Sequence, residues 1–169
     1  MSTTQDRPHE IRREPVIVSF DEHAAFTETY GFVGSQGKVF LEGQRIVPVG
    51  RDSETLLIFM HPASTLNLMP LPVALASSGR HVMCCGSRYA KNDTALIMEK
   101  VAADLGAYVR HAREALGYRH VVLAGWSGGG PLATFYQSPA EKPSVTGTPG
   151  GDPPDLERMG LPPADRLVF

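Results

Sequence analysis

Three short, uninterrupted apolar runs constrain this chain more than any other feature: Leu56-Leu57-Ile58-Phe59-Met60, Val82-Met83-Cys84-Cys85 and Val121-Val122-Leu123-Ala124. A strand wetted on one face alternates apolar with polar residues, so runs without alternation need cover on both faces. Between the second and third runs, from about Asp93 to Leu116, the apolar residues Ile97, Val101, Leu105, Val109, Ala112 and Leu116 recur at spacings near four. Glu99, Lys100, Arg110, Arg113 and Glu114 fall mostly elsewhere, which predicts an amphipathic helix with one face packed and one wet. Asn92 or Asp93 offers an N-cap, and Gly117 offers the left-handed residue that ends a helix. A shorter helix is expected over Pro70 to Ser78, ahead of Gly79, because the crossover between parallel strands usually carries one. Strand, helix, strand, helix, strand predicts an α/β fold with a mostly parallel sheet and helices on both faces.

Residues 1–14 are polar and charged and read as a mobile leader, leaving 15–169 as one domain. Pro15 to Phe20 and Phe26 to Val33 read as extended segments, and Gly34-Ser35-Gln36-Gly37 as a turn into Lys38-Val39-Phe40-Leu41. Together they predict an antiparallel hairpin at the N-terminal end of the sheet. Pro139, Pro143, Pro149, Pro153, Pro154, Pro162 and Pro163 make Ser138 to Pro163 a surface excursion, after which Leu167-Val168-Phe169 starts another strand.

Composition narrows the function classes. With 42% hydrophobic and 20% charged residues the chain has the make-up of an ordinary globular protein. Its formal net charge of -2 and the lack of any concentrated basic cluster give no electrostatic case for nucleic acid or an anionic membrane as partner. No stretch approaches the ~20 apolar residues of a membrane span, and the polar N-terminus has no secretory apolar core. Cys84 and Cys85, the two cysteines, lie adjacent in a strand and form neither a disulfide framework nor a zinc site, so a cytoplasmic location is expected. No feature of the sequence specifies an oligomeric state.

The run ending at Ala124 leads directly into Gly125-Trp126-Ser127-Gly128-Gly129-Gly130, and Pro131-Leu132-Ala133-Thr134-Phe135-Tyr136 then starts a helix, with proline tolerated in its first turn. Strand, sharp turn and helix around Gly-x-Ser-x-Gly is the context that turns a short pattern into a nucleophile elbow. Small residues at 125 and 129 let strand and helix approach closely, Trp126 occupies the variable position, and Ser127 is lifted clear of the sheet as the candidate nucleophile. The Gly128 N–H, at a helix N-terminus, is a candidate oxyanion donor. A second donor is expected from the loop after Met60, His61-Pro62-Ala63-Ser64-Thr65; Pro62 has no N–H, which selects Ala63.

Strand-His-Pro-Ala followed by the Gly-Trp-Ser-Gly-Gly-Gly elbow resembles the α/β-hydrolase superfamily of serine hydrolases, over roughly residues 26 to 169. Pro62 departs from the His-Gly common in that family and stiffens the loop. The resemblance implies acyl transfer to water: Ser127 attacks an ester, thioester or amide carbonyl of a small molecule, with no cofactor or metal required. Leu66, Leu68, Met69 and Trp126 are candidates for an acyl pocket, the first three equally for the core beside the short helix. An acyltransferase or perhydrolase on the same elbow, or a non-catalytic remnant or interaction module, are the alternatives.

In this superfamily the triad runs serine, acid, histidine along the chain, yet no histidine follows Ser127: the six are His9, His23, His61, His81, His111 and His120. The downstream carboxylates Glu141, Asp152, Asp155, Glu157 and Asp165 are expected in surface loops or, for Asp165, at the opposite edge of the sheet. Of the histidines only His61 is expected at the carboxyl edge, where it is more easily an organiser of the oxyanion loop than a substitute base. The chain therefore reads as the N-terminal part of a longer hydrolase, with the triad acid and histidine expected after residue 169.

Overall fold

A computed structural model describes residues 7–22, 37–151 and 154–169, and every structural statement below concerns these residues. Six strands and four helices follow one another along the chain: β1 (Ile11–Glu22), β2 (Gly37–Pro48), β3 (Thr55–His61), α1 (Pro70–Ser77), β4 (His81–Gly86), α2 (Met98–Glu114), β5 (His120–Ala124), α3 (Gly129–Glu141), α4 (Leu156–Met159) and β6 (Arg166–Val168). They build one sheet in the order β1-β2-β4-β3-β5-β6. β1 pairs antiparallel with β2 and β2 with β4, while β3, β4, β5 and β6 run parallel.

The alternation of side chains along each buried strand divides the core in two. Leu56, Ile58 and Met60 of β3, Met83 and Cys85 of β4, and Val121 and Leu123 of β5 point to one face, where Val101, Leu105, Tyr108 and Val109 of α2 and Leu132 and Tyr136 of α3 meet them. Phe59, Val82, Cys84 and Ala124 point to the other, against Ala76 of α1 and Leu66 before it. Both faces of the three apolar runs are thus covered, as their lack of alternation requires. The thiols of Cys84 and Cys85 are buried on opposite faces, and burial pushes that of Cys84 up to about 12.

Three boundaries and the place of one side chain differ from those expected. β1 begins at Ile11, paired with Pro48, so its first residues come from the stretch read as leader, and the His9 N–H reaches the Ser77 carbonyl at 2.7 Å. α2 starts at Met98 behind an extended Ile97 and without a side-chain cap, because Asn92 Oδ1 is turned to the Thr94 N–H at 3.4 Å and closes a local turn instead. Lys100, expected on the wet face of α2, is buried. α3 continues through Pro139 to Glu141: its last turn is held by Gln137, which bonds both the N–H and the carbonyl of Ala164, and Pro139 and Ala140 are buried. The excursion that follows contains the single turn α4, capped by Asp155, whose carboxylate accepts the Arg158 N–H at 3.0 Å.

The expected endings hold where a glycine carries them: Gly79 has φ +95° after α1 and Gly117 φ +74° after α2. The expected strand Phe26 to Val33 and the turn Gly34-Ser35-Gln36 lie outside the described residues. No described helix is long and apolar enough to cross a membrane.

Candidate active site

β3, β4 and β5 end at one edge of the sheet, and the loops leaving them meet there. Ser127 follows β5 and has φ +52°, a left-handed backbone that costs an ordinary residue about 1–3 kcal/mol. Its neighbours show why the turn needs glycine on both sides. A Cβ on Gly129 would stand 2.4 Å from the Met60 carbonyl oxygen, and one on Gly125 would stand 2.7 Å from the Gly130 Cα. Strand β3 and helix α3 therefore pack backbone to backbone beneath the serine, which leaves Ser127 itself exposed. The turn closes through Gly129 N–H to Trp126 O at 2.8 Å and Gly130 N–H to Ser127 O at 3.1 Å, and β6 docks on it through Gly125 N–H to Val168 O at 2.8 Å. Among the described residues no acceptor takes the Gly128 N–H, at the N-cap of α3.

The loop after β3 lies alongside. A Cβ on Gly128 would meet His61 Nε2 at 2.9 Å and Pro62 Cδ at 3.4 Å, so the imidazole edge faces the elbow. The loop is tied down at two carbonyls: Pro62 O accepts the Ser87 hydroxyl, and Ala63 O accepts the Lys91 N–H at 3.2 Å. The Ala63 N–H, expected to serve the oxyanion, instead donates to His61 Nδ1 at 3.2 Å. With Pro62 between them, that contact closes the loop on itself and occupies the amide. The same bond decides the ring's tautomer: Nδ1 acts as acceptor, so the proton sits on Nε2. Nε2–H, on the ring edge that faces the elbow, is then a donor and not an acceptor for the serine proton.

The other described histidines and the carboxylates Asp165, Glu141 and Asp155 hold places of their own in the fold. His81, the first residue of β4, is buried between the Tyr118 hydroxyl at 2.7 Å and the Arg51 carbonyl at 2.8 Å. His120 and Asp165 face each other at 3.8 Å at the opposite edge of the sheet, where Asp165 also accepts the Val121 N–H. His111 sits on α2, His9 beside Arg51, Glu141 beside Gln137 and Asp155 at the start of α4; His23 and Asp152 lie outside the described residues. Of the expected pocket residues, Leu66 is core, Met69 packs on the same cluster, Leu68 is 94% exposed and Trp126 is 46% exposed.

Two features of this edge escaped the sequence. Ser87, which anchors the Pro62 carbonyl, is signalled only by its place after an apolar strand. Arg88 beside it bridges Asp104 of α2 at 2.7 Å and Glu22 of β1 at 2.7 Å in a buried cluster, and it brings together three segments that no local pattern connects. Burial pushes the Asp104 carboxyl up and the Arg88 charge draws it partly back, while the two carboxylates hold the guanidinium fully charged.

No protein-family model matches the chain, and no curated protein sequence does. Solved structures do. Brefeldin A esterase, described as a bacterial homologue of human hormone-sensitive lipase, aligns with 84% of this chain at TM-score 0.54 and 21% identity. Dienelactone hydrolase from Anabaena variabilis aligns with 80% at TM-score 0.55 and 17% identity, and esterase B from Lactobacillus rhamnosis with 98% at TM-score 0.52 and 18% identity. The strand order, the elbow after β5 and these neighbours establish an α/β-hydrolase fold for the chain. It spans 38%, 60% and 48% of those three neighbours' lengths.

Proposed function

We propose that this chain carries the nucleophile and part of the oxyanion hole of a serine hydrolase acting on an ester, thioester or amide of a small molecule. The observation that carries the reading is the exposed Ser127 at φ +52°, on the turn from β5 to α3, beside an unengaged Gly128 N–H. In the reaction Ser127 Oγ bonds to the carbonyl carbon, the carbonyl oxygen takes up negative charge against the Gly128 N–H, and the leaving group departs with a proton. Water then hydrolyses the acyl-enzyme. No cofactor enters these steps. The two unpaired strand cysteines, Cys84 and Cys85, favour a reducing compartment and hence the cytoplasm.

The serine proton needs an acceptor, and no histidine follows Ser127. In this proposal the imidazole and its acid come from residues outside 1–169, in keeping with the share of the neighbours' length that the chain spans. The chain by itself is then a slow nucleophile. A fluorophosphonate probe tests this: gradual labelling of the wild-type chain at one site, lost in Ser127→Ala, is expected. Equal labelling of both proteins, or none in folded wild type, favours the non-catalytic alternative.

A further inference from the structure

The Gly128 amide and His61 Nε2 stand together at the elbow, and neither has an acceptor among the described residues. They are neighbours, since Nε2 lies 2.9 Å from the point a Gly128 Cβ would occupy, and they border the exposed Ser127. The ring is not free to turn its proton elsewhere, because Nδ1 is held by the Ala63 N–H at 3.2 Å, and Ala63 is held in turn through its carbonyl by Lys91. The two loop positions that follow the ring offer no free amide: Pro62 has no N–H and that of Ala63 is spent on the ring.

The geometry points to the His61 side chain as a catalytic residue: its Nε2–H is the second oxyanion donor, paired with the Gly128 N–H, and the Ala63 amide serves as the support that fixes the ring's tautomer. This rests on Ser127 being the nucleophile. The absence of a side chain at Gly128 acquires a reason of its own, since any Cβ there would displace the imidazole from the elbow.

Phosphonylation by a fluorophosphonate builds the relevant charge. Ser127 Oγ bonds to phosphorus, the P–F bond breaks, fluoride and the serine proton leave to solvent, and the phosphoryl oxygen becomes more negative on the way. Two variants separate donation to that oxygen from loop organisation. His61→Asn keeps a short side-chain acceptor for the Ala63 N–H but has no group where Nε2 was; His61→Gln places an amide N–H near the Nε2 position and gives up the short acceptor. Loss of one oxyanion donor costs about 100-fold to 1,000-fold in rate, so labelling is expected to slow by about 100-fold in His61→Asn and to stay within about tenfold of wild type in His61→Gln. The reverse order, or two unchanged rates, overturns the assignment while Ser127 labelling stands. Should either variant fail to fold, 15N NMR of the wild-type imidazoles decides the matter: Nε2 protonated in the free protein and shifted on labelling supports the assignment, and a protonated Nδ1 or an unmoved Nε2 overturns it. A wild-type chain that takes no probe overturns the Ser127 reading itself and His61's role with it.

Discussion

Ser127 holds a backbone conformation that a serine resists, and the strain is maintained by what surrounds it. The Met60 carbonyl under Gly129 and the Gly130 Cα beside Gly125 leave the chain no room to relax. Replacing Ser127 by glycine removes the left-handed penalty and is expected to raise stability by about 1 kcal/mol, seen as a higher urea midpoint with an unchanged slope, while all probe labelling disappears. A midpoint equal to or below wild type would mean that the turn is not strained. Here the sequence was informative because the motif is local: residues 125 to 130 carry their own geometric demands. Ala63 shows the limit of that locality. Pro62 excludes itself chemically, but whether the next amide faces a substrate or the His61 ring depends on a side-chain rotamer that no pattern encodes.

Helix ends marked by a terminal glycine stand where the sequence put them, and the boundaries that differ were set by contacts. α3 passes Pro139 because Gln137 and the Tyr136 hydroxyl fasten its last turns to the segment 162–164, outweighing the hydrogen bond that proline forfeits. Arg88 does comparable work between elements, joining the end of β1, the loop after β4 and the middle of α2. The side chains of Glu22, Arg88 and Asp104 are 5%, 9% and 0% exposed, so removing the cation strands two carboxylates out of water. Arg88→Met is expected to cost about 3–5 kcal/mol in urea unfolding, and Asp104→Asn, which leaves the Arg88–Glu22 pair, clearly less. Equal losses would show that the cluster contributes through packing alone.

At the scale of the whole molecule, one half-buried base gives the fold a pH response. His111 lies on α2 beside a cavity lined by Phe20, Ala107 and Leu161, and burial, with the charge of Arg45 second, lowers its pKa below 6.5. The unfolded chain therefore binds a proton at a higher pH than the folded one, and the contribution of His111 is fully present above about pH 6.5 and is lost as pH falls below it. Urea midpoints measured from pH 7.5 to 5 are expected to decline less steeply in His111→Gln than in wild type; parallel curves would remove His111 as the cause. The three apolar runs, the stripe of α2 and the Gly-x-Ser-x-Gly turn specified an α/β sheet with a serine at its carboxyl edge, because side-chain periodicity and backbone strain are written in consecutive residues. Folding alone decided that β4 inserts between β2 and β3, that Arg88 finds Glu22 and Asp104, and that Ala63 turns its amide to His61. Each of these joins groups far apart in the chain or selects one rotamer among several, and such choices are settled by packing and by the demand that buried polar groups find partners.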